Sequence, residues 1–145
     1  GVERVFFHSG RCTKLNQDNA EGIFFEYGGA PRQIYAAAAG LTHMLSPKPI
    51  FLRKLDFGEG VWAYLFSDRG KHVLAVWKRS AEGKCLVLND VRLVAHDMMA
   101  NRLPERVVAL TWAPTYIVGT PLTEEQFVAA ISLQEPDPAD PARRR

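Results

Sequence analysis

The residue types that do chemistry are sparse in this chain. Two cysteines, Cys12 and Cys85, and four histidines, His8, His43, His72 and His96, are the candidate nucleophiles, bases and soft metal ligands. Cys12 or Cys85 with His96-Asp97 would supply the parts of a Cys–His–Asp nucleophile. No local pattern joins them, however, and the apolar run Cys85-Leu86-Val87-Leu88 predicts a buried, inert thiol. The histidines show no metal-ligand spacing, with no H-E-x-x-H and no C-x-x-C, so no metal centre is expected. Gly28-Gly29 and Gly58-Glu59-Gly60 lack the Gly-Lys-Ser/Thr end of a phosphate loop and read as turn glycines, so no nucleotide cofactor is expected either. No catalytic set converges in the sequence.

One pattern does suggest binding. Trp62, Tyr64 and Phe66 alternate with Val61, Ala63 and Leu65, so on a strand the three rings share one face, and Trp77 could join them from the next strand. An aromatic row on a sheet can stack pyranose rings, because the C–H-rich face of a sugar matches an aromatic face. The same rings could equally be core or interface, since large aromatics dominate both.

The elements that must carry these residues fall into unequal stretches. Val2-Glu3-Arg4-Val5-Phe6-Phe7 predicts a short, mostly buried strand, and residues 8–29 a long polar loop. Pro31 then suits the first turn of a helix. Ile34, Ala38, Leu41 and Leu45 follow at helical spacing, until Pro47 and Pro49 stop it. Residues 1–46 are thus strand, loop and helix. From 50 to 119 the chain reads as strands at 50–57, 61–67, 71–78, 84–89, 91–96, 105–111 and 115–118. Turn residues such as Asp68-Arg69-Gly70 and Asn89-Asp90 separate them. That spacing predicts an antiparallel β-sandwich of about 7–8 strands. Thr123-Glu124-Glu125-Gln126 is a capping-box pattern that opens a short helix within 120–133. Residues 134–145, with Pro136, Pro138 and Pro141, read as a disordered tail.

Charge excludes some partners. The chain carries 18 Lys and Arg against 16 Asp and Glu, a net +2, but Arg143-Arg144-Arg145 supply three of the positive charges. Without them the balance is 15 against 16, or −1, so the basic character belongs to the tail. No nucleic-acid partner is expected, because such a surface clusters its cations on the fold. No run of about 18 apolar residues exists, so no membrane-spanning helix is expected.

A single strand and helix ahead of a complete-looking sandwich cannot form a core of their own, and here the order of motifs resembles a known family. Gly1-Val2-Glu3-Arg4-Val5-Phe6-Phe7-His8 resembles the last barrel strand of (β/α)₈ glycoside hydrolases. Residues 30–41, from Ala30-Pro31 through Tyr35 to Gly40-Leu41, resemble the final barrel helix. Val61-Trp62-Ala63-Tyr64-Leu65-Phe66-Ser67 and His72-Val73-Leu74-Ala75-Val76-Trp77 resemble the first hairpin of the β-sandwich that follows such barrels. His96-Asp97-Met98-Met99-Ala100-Asn101-Arg102-Leu103-Pro104 resembles the family's D-x-M-G-N-x-L element. Residues 110–119, Leu110 to Gly119 with Pro114 and Tyr116, resemble its closing strand. Two positions depart: Ala100 stands where the family has Gly, and Phe7 where a Trp is usual.

The resemblance implies a mainly β chain, an antiparallel β-sandwich preceded by the strand–loop–helix remnant of a (β/α)₈ barrel. The barrel itself needs about 250 residues. The two catalytic carboxylates would lie before Gly1, so this stretch is not expected to hydrolyse glycosides alone. The implied partners are carbohydrate, met through the parent enzyme, and the chain's own N-terminal barrel. Phe7 and His8 would fall at the active-site end of a barrel strand, where an aromatic can pack on a sugar and an imidazole can reach a hydroxyl. The plainer reading of both is core and solvated loop. Phe6, Phe7 and the Ala36–Leu45 helix face, left without a barrel, should drive self-association. Three functions remain in view: a non-catalytic accessory sandwich, a carbohydrate-binding module on the aromatic face, and a stand-alone enzyme of unknown chemistry.

Overall fold

The computed structural model describes residues 24–79 and 83–134. Within them the protein is mainly β, with two antiparallel sheets packed as a sandwich. The larger sheet has six strands in the order β1-β2-β3-β8-β5-β6. These are β1 (Ile50–Leu55), β2 (Val61–Asp68), β3 (Lys71–Lys78), β5 (Leu93–His96), β6 (Arg102–Leu103) and β8 (Thr115–Gly119). The smaller sheet has three, in the order β7-β4-β9: β4 (Cys85–Leu88), β7 (Val107–Ala109) and β9 (Ile131–Gln134). Helix α1 (Gln33–Met44) precedes the strands, and α2 (Glu124–Ala129) lies between β8 and β9. The expected barrel strand, and with it Phe7, His8 and Cys12, lies outside the described residues.

The core forms where the two inner faces meet. Leu65, Leu74, Val76 and Ile117 from the large sheet are 0% exposed, and Leu86 and Ile131 reach them from the small one. Alternation explains the choice: on β2 the odd positions Val61, Ala63 and Leu65 are buried, and the even positions face outward. Phe127 of α2 closes one end at 0% exposed, against Gly119, where any side chain would collide with the Phe127 and Leu93 side chains.

The chain ends its strands where the turn residues say it must. Arg69 and Gly70 both take positive φ, 50° and 75°, and join Asp68 directly to its partner Lys71 in a tight two-residue hairpin. Asp90 accepts from the Arg92 backbone N–H and binds the Arg92 guanidinium, holding residues 90–92 in a turn. This is why β5 starts at Leu93 rather than at 91. The Thr123–Gln126 capping box forms as expected, with both reciprocal hydrogen bonds in place.

The C-terminal segment corrects the expectation of one helix through 133. The helix stops at Ala129, and Ile131-Ser132-Leu133-Gln134 pair with β4 instead. Residues 131–134 alternate apolar and polar, so they offer a strand face to the otherwise open edge of β4. The very short strand β6 was likewise absent from the expected set.

Candidate functional site

The outer face of the six-stranded sheet carries Phe51, Trp62, Tyr64, Phe66 and Trp77 in one continuous group of rings. Register places Trp62 opposite Trp77, Tyr64 opposite Ala75 and Phe66 opposite Val73, while Phe51 of β1 stands opposite Phe66. Trp62 and Trp77 rings lie 5.7 Å apart, Tyr64 and Trp77 5.5 Å, Phe51 and Tyr64 6.4 Å, and Phe51 and Phe66 5.7 Å. These centroid distances are those of rings in direct contact. The sequence therefore placed Trp62, Tyr64 and Phe66 on one face correctly, and the structure brings Trp77 to them.

Sequence reasoning missed Phe51. A bulge between Phe51 and Arg53 shifts the phase of β1, so simple alternation assigns its faces wrongly. Phe51 is 54% exposed, whereas Trp62, Tyr64, Phe66 and Trp77 are half-buried. The guanidinium of Arg79 lies 5.0 Å over the Trp62 ring, a cation–π pair at the corner of the face.

Helix α1 covers the other part of this face. Met44 is buried with Val73, Ala75 and Tyr116, and Leu45, Phe66 and Trp77 pack around them. Gly40 makes this seating possible. A Cβ at that position would lie 2.5 Å from the Met98 carbonyl oxygen, so only glycine lets the helix rest on the backbone of the β5–β6 turn. The expected stripe of Ile34, Ala38, Leu41 and Leu45 is thus not the buried face. Gly40 and Met44 are buried, and Leu41 stays 46% exposed.

Polar contacts fix the end of α1. The buried Asp68 carboxylate accepts from the Ser46 backbone N–H at 2.9 Å, from the Ser46 hydroxyl and from Arg69 Nε at 3.0 Å. Arg69 also donates to the His43 carbonyl at 3.2 Å, a cation at a helix C-terminus. Burial by itself pushes the Asp68 carboxyl up, but hydrogen bonds from Ser46 and Arg69 outweigh it and hold it below the usual carboxylate range.

The residues with nucleophilic or basic potential are kept apart. Cys85 lies on β4 of the small sheet, half-buried rather than buried, because Leu86 and Leu88 take the core positions. His96 lies on the outer face of the large sheet, register partner of Tyr116. The hydrophobic core separates the two, so no Cys85–His96 pair forms. His96 keeps a buried Nδ1 with no hydrogen-bond partner. Burial first, then the nearby Lys71, Arg102 and His43 charges, push its imidazole below the usual histidine range, against a smaller opposing pull from Asp97. Asp97 itself is spent on the turn, where its oxygens accept from the Met99 and Asn101 backbone N–H groups and from the Asn101 side chain. Among the described residues no group of three His, Cys, Asp or Glu is placed to hold a metal ion. A shallow cleft of about 280 Å³ opens between this turn and residues 111–115, lined by Met98, Leu103, Thr111 and Pro114 among others. Among the described residues Asp97 is the one acid or base that lines it.

No described helix is long and apolar enough to cross a membrane. Comparison of the chain with protein-family models, with curated proteins and with solved structures found no match.

Proposed function

We propose that this chain is the non-catalytic accessory β-sandwich of a glycoside-hydrolase-like protein, acting in carbohydrate hydrolysis by stabilising a barrel that precedes it. The observation that carries this reading is the seating of α1. The helix that resembles the last element of a barrel lies on the outer face of the sandwich, through Gly40 and Met44. It is pinned there by Asp68 and Arg69 of the β2–β3 hairpin. A sandwich that grips the final barrel helix is built to brace the barrel's flank. Ala100 adds support. It adopts φ 67°, so the turn at 97–101 keeps the left-handed residue that the family fills with glycine.

The test compares a polypeptide containing the barrel and this chain with one lacking residues 50–134. Removal of the sandwich is expected to lower the melting temperature of the hydrolytic domain and its soluble yield. A hydrolytic domain equally stable without the sandwich overturns the reading. The chain alone is expected to release no sugar from any aryl glycoside.

A second reading draws on a different part of the same face. At the Phe51–Tyr64–Trp77–Trp62 corner, beside the helix, Phe51 is 54% exposed and Tyr64, Trp77 and Trp62 are half-buried. This supports a carbohydrate-binding role for Trp62, Tyr64 and Phe66. The rings are tilted by 32° to 62° against each other. They therefore form a ridged surface rather than a flat platform, and each ring offers an edge and part of a face.

A further inference from the structure

The charge of the outer face narrows what that corner could bind. Strand register turns Lys54, beside Tyr64, and Lys71, beside Asp68, onto this face, together with His96 and its cross-strand neighbour Arg102. Arg79 sits over Trp62 at its corner. The carboxylate the strands present there is Asp68, and it is consumed by Ser46 and Arg69. Aromatic rings and cations thus share a surface with no free carboxylate on its strands. Lys54 and Arg79 flank exposed Phe51 and the half-buried rings beside it, and both cations are exposed.

We propose that the Phe51–Tyr64–Trp77–Trp62 corner, flanked by Lys54 and Arg79, binds an acidic polysaccharide, a chain of uronate-type sugars. This rests on the reading that the corner meets carbohydrate. A uronate chain offers both halves of the match. Its C–H ring faces suit the aromatic surfaces, and a carboxylate on each ring can pair with an ammonium or guanidinium. A neutral glycan would bring no counter-charge to either cation. A single-stranded nucleic acid would need a longer cationic track along its phosphates than two side chains provide.

The test uses the full chain of residues 1–145 in affinity electrophoresis and calorimetry. The probes are polygalacturonate, the same polymer with its carboxyls methyl-esterified, and an oligothymidylate. Polygalacturonate is expected to bind at least about tenfold more tightly than the ester. Its affinity should fall as salt rises, and oligothymidylate should bind more weakly than polygalacturonate. Lys54→Gln with Arg79→Gln, both at exposed positions, should erase the preference for acid over ester while the far-UV spectrum stays that of the parent chain, with at most a small fall in melting temperature from the lost Arg79–Trp62 contact. Trp62→Ala should weaken both polymers, provided its far-UV spectrum matches the parent chain. Equal binding of acid and ester overturns the acidic-ligand inference and leaves the carbohydrate reading standing. Binding of neither polymer overturns both. Oligothymidylate binding as tightly as polygalacturonate also overturns the inference, in favour of a general polyanion surface.

Discussion

Single residues decide how the sheet turns and what it tolerates. Ala100 takes φ 67° in the turn closed by Asp97, a conformation that costs an L-residue roughly 1–2 kcal/mol and glycine little. Ala100→Gly is therefore expected to raise stability by about 0.5–1 kcal/mol, the greater freedom of glycine in the unfolded chain offsetting part of the relief. Chemical denaturation reads this out, and a loss of stability would mean that the Ala100 methyl matters more in packing against the Met44–Val73–Ala75–Tyr116 cluster than its φ strain. His96 gives a pH dependence with a definite sign. Its folded pKa lies below the ordinary value of 6.5, since burial and the Lys71, Arg102 and His43 charges disfavour the imidazolium. The unfolded chain therefore binds more protons, and stability falls as pH drops below about 6.5. His96→Gln should flatten the slope of stability against pH in that range; an unchanged slope assigns the effect to another group. At this scale the sequence was informative where periodicity was intact. Trp62, Tyr64 and Phe66 could be put on one face because β2 runs unbroken. Phe51 could not, because the bulge at Leu52 changes the phase and no residue in Ile50–Leu55 announces it.

At the scale of elements, the contact between α1 and the large sheet governs the account. Gly40→Ala would ordinarily favour a helix by about 1 kcal/mol. Here its Cβ would meet the Met98 carbonyl at 2.5 Å, so the variant is expected to be less stable than the parent. A more stable variant in thermal unfolding would contradict the seating of α1. Asp68→Ala removes the acceptor of the Ser46 N–H and hydroxyl and is expected to cost roughly 1.5–3 kcal/mol, most of it as loosening of α1. Because the Asp68 carboxyl is held below its ordinary 3.8, this contribution is present above that pH and lost as pH falls below it. Urea titrations at pH 3 and pH 6 measure the difference, which should shrink in the variant; what remains belongs to His96 and to the other carboxylates held below their ordinary values, such as Asp90 and Asp97. The helix itself was legible from the alanine run, but Pro31 is not in its first turn: it stands ahead of the Arg32 N-cap, bridged to Phe25. The buried face of α1 was not legible, because the close approach at Gly40 depends on a turn some sixty residues further on. The strand Ile131–Gln134 was hidden for a similar reason: four residues too short to choose between helix and strand pair because β4 offers an edge.

For the whole molecule, composition and turn spacing were enough to give a mainly β sandwich, and the structure has it. What composition could not give is how the two stretches before and after Pro49 relate. The large sheet uses its inner face for the core and its outer face for α1 and the aromatic corner. Part of the exposed apolar surface lies on α1 itself, with Tyr35 at 43% and Leu41 at 46%. Such a patch predicts self-association of the isolated chain, seen as a concentration-dependent rise in mass by light scattering, and Leu41→Glu should reduce it. The central claim, that this sandwich braces a barrel ahead of it, is tested most directly by the natural polypeptide. An antibody raised against residues 50–134 should isolate a chain longer than this one by about 200 residues or more, with a barrel carrying two carboxylates at strand ends. A natural polypeptide with no barrel preceding Gly1 would contradict the account.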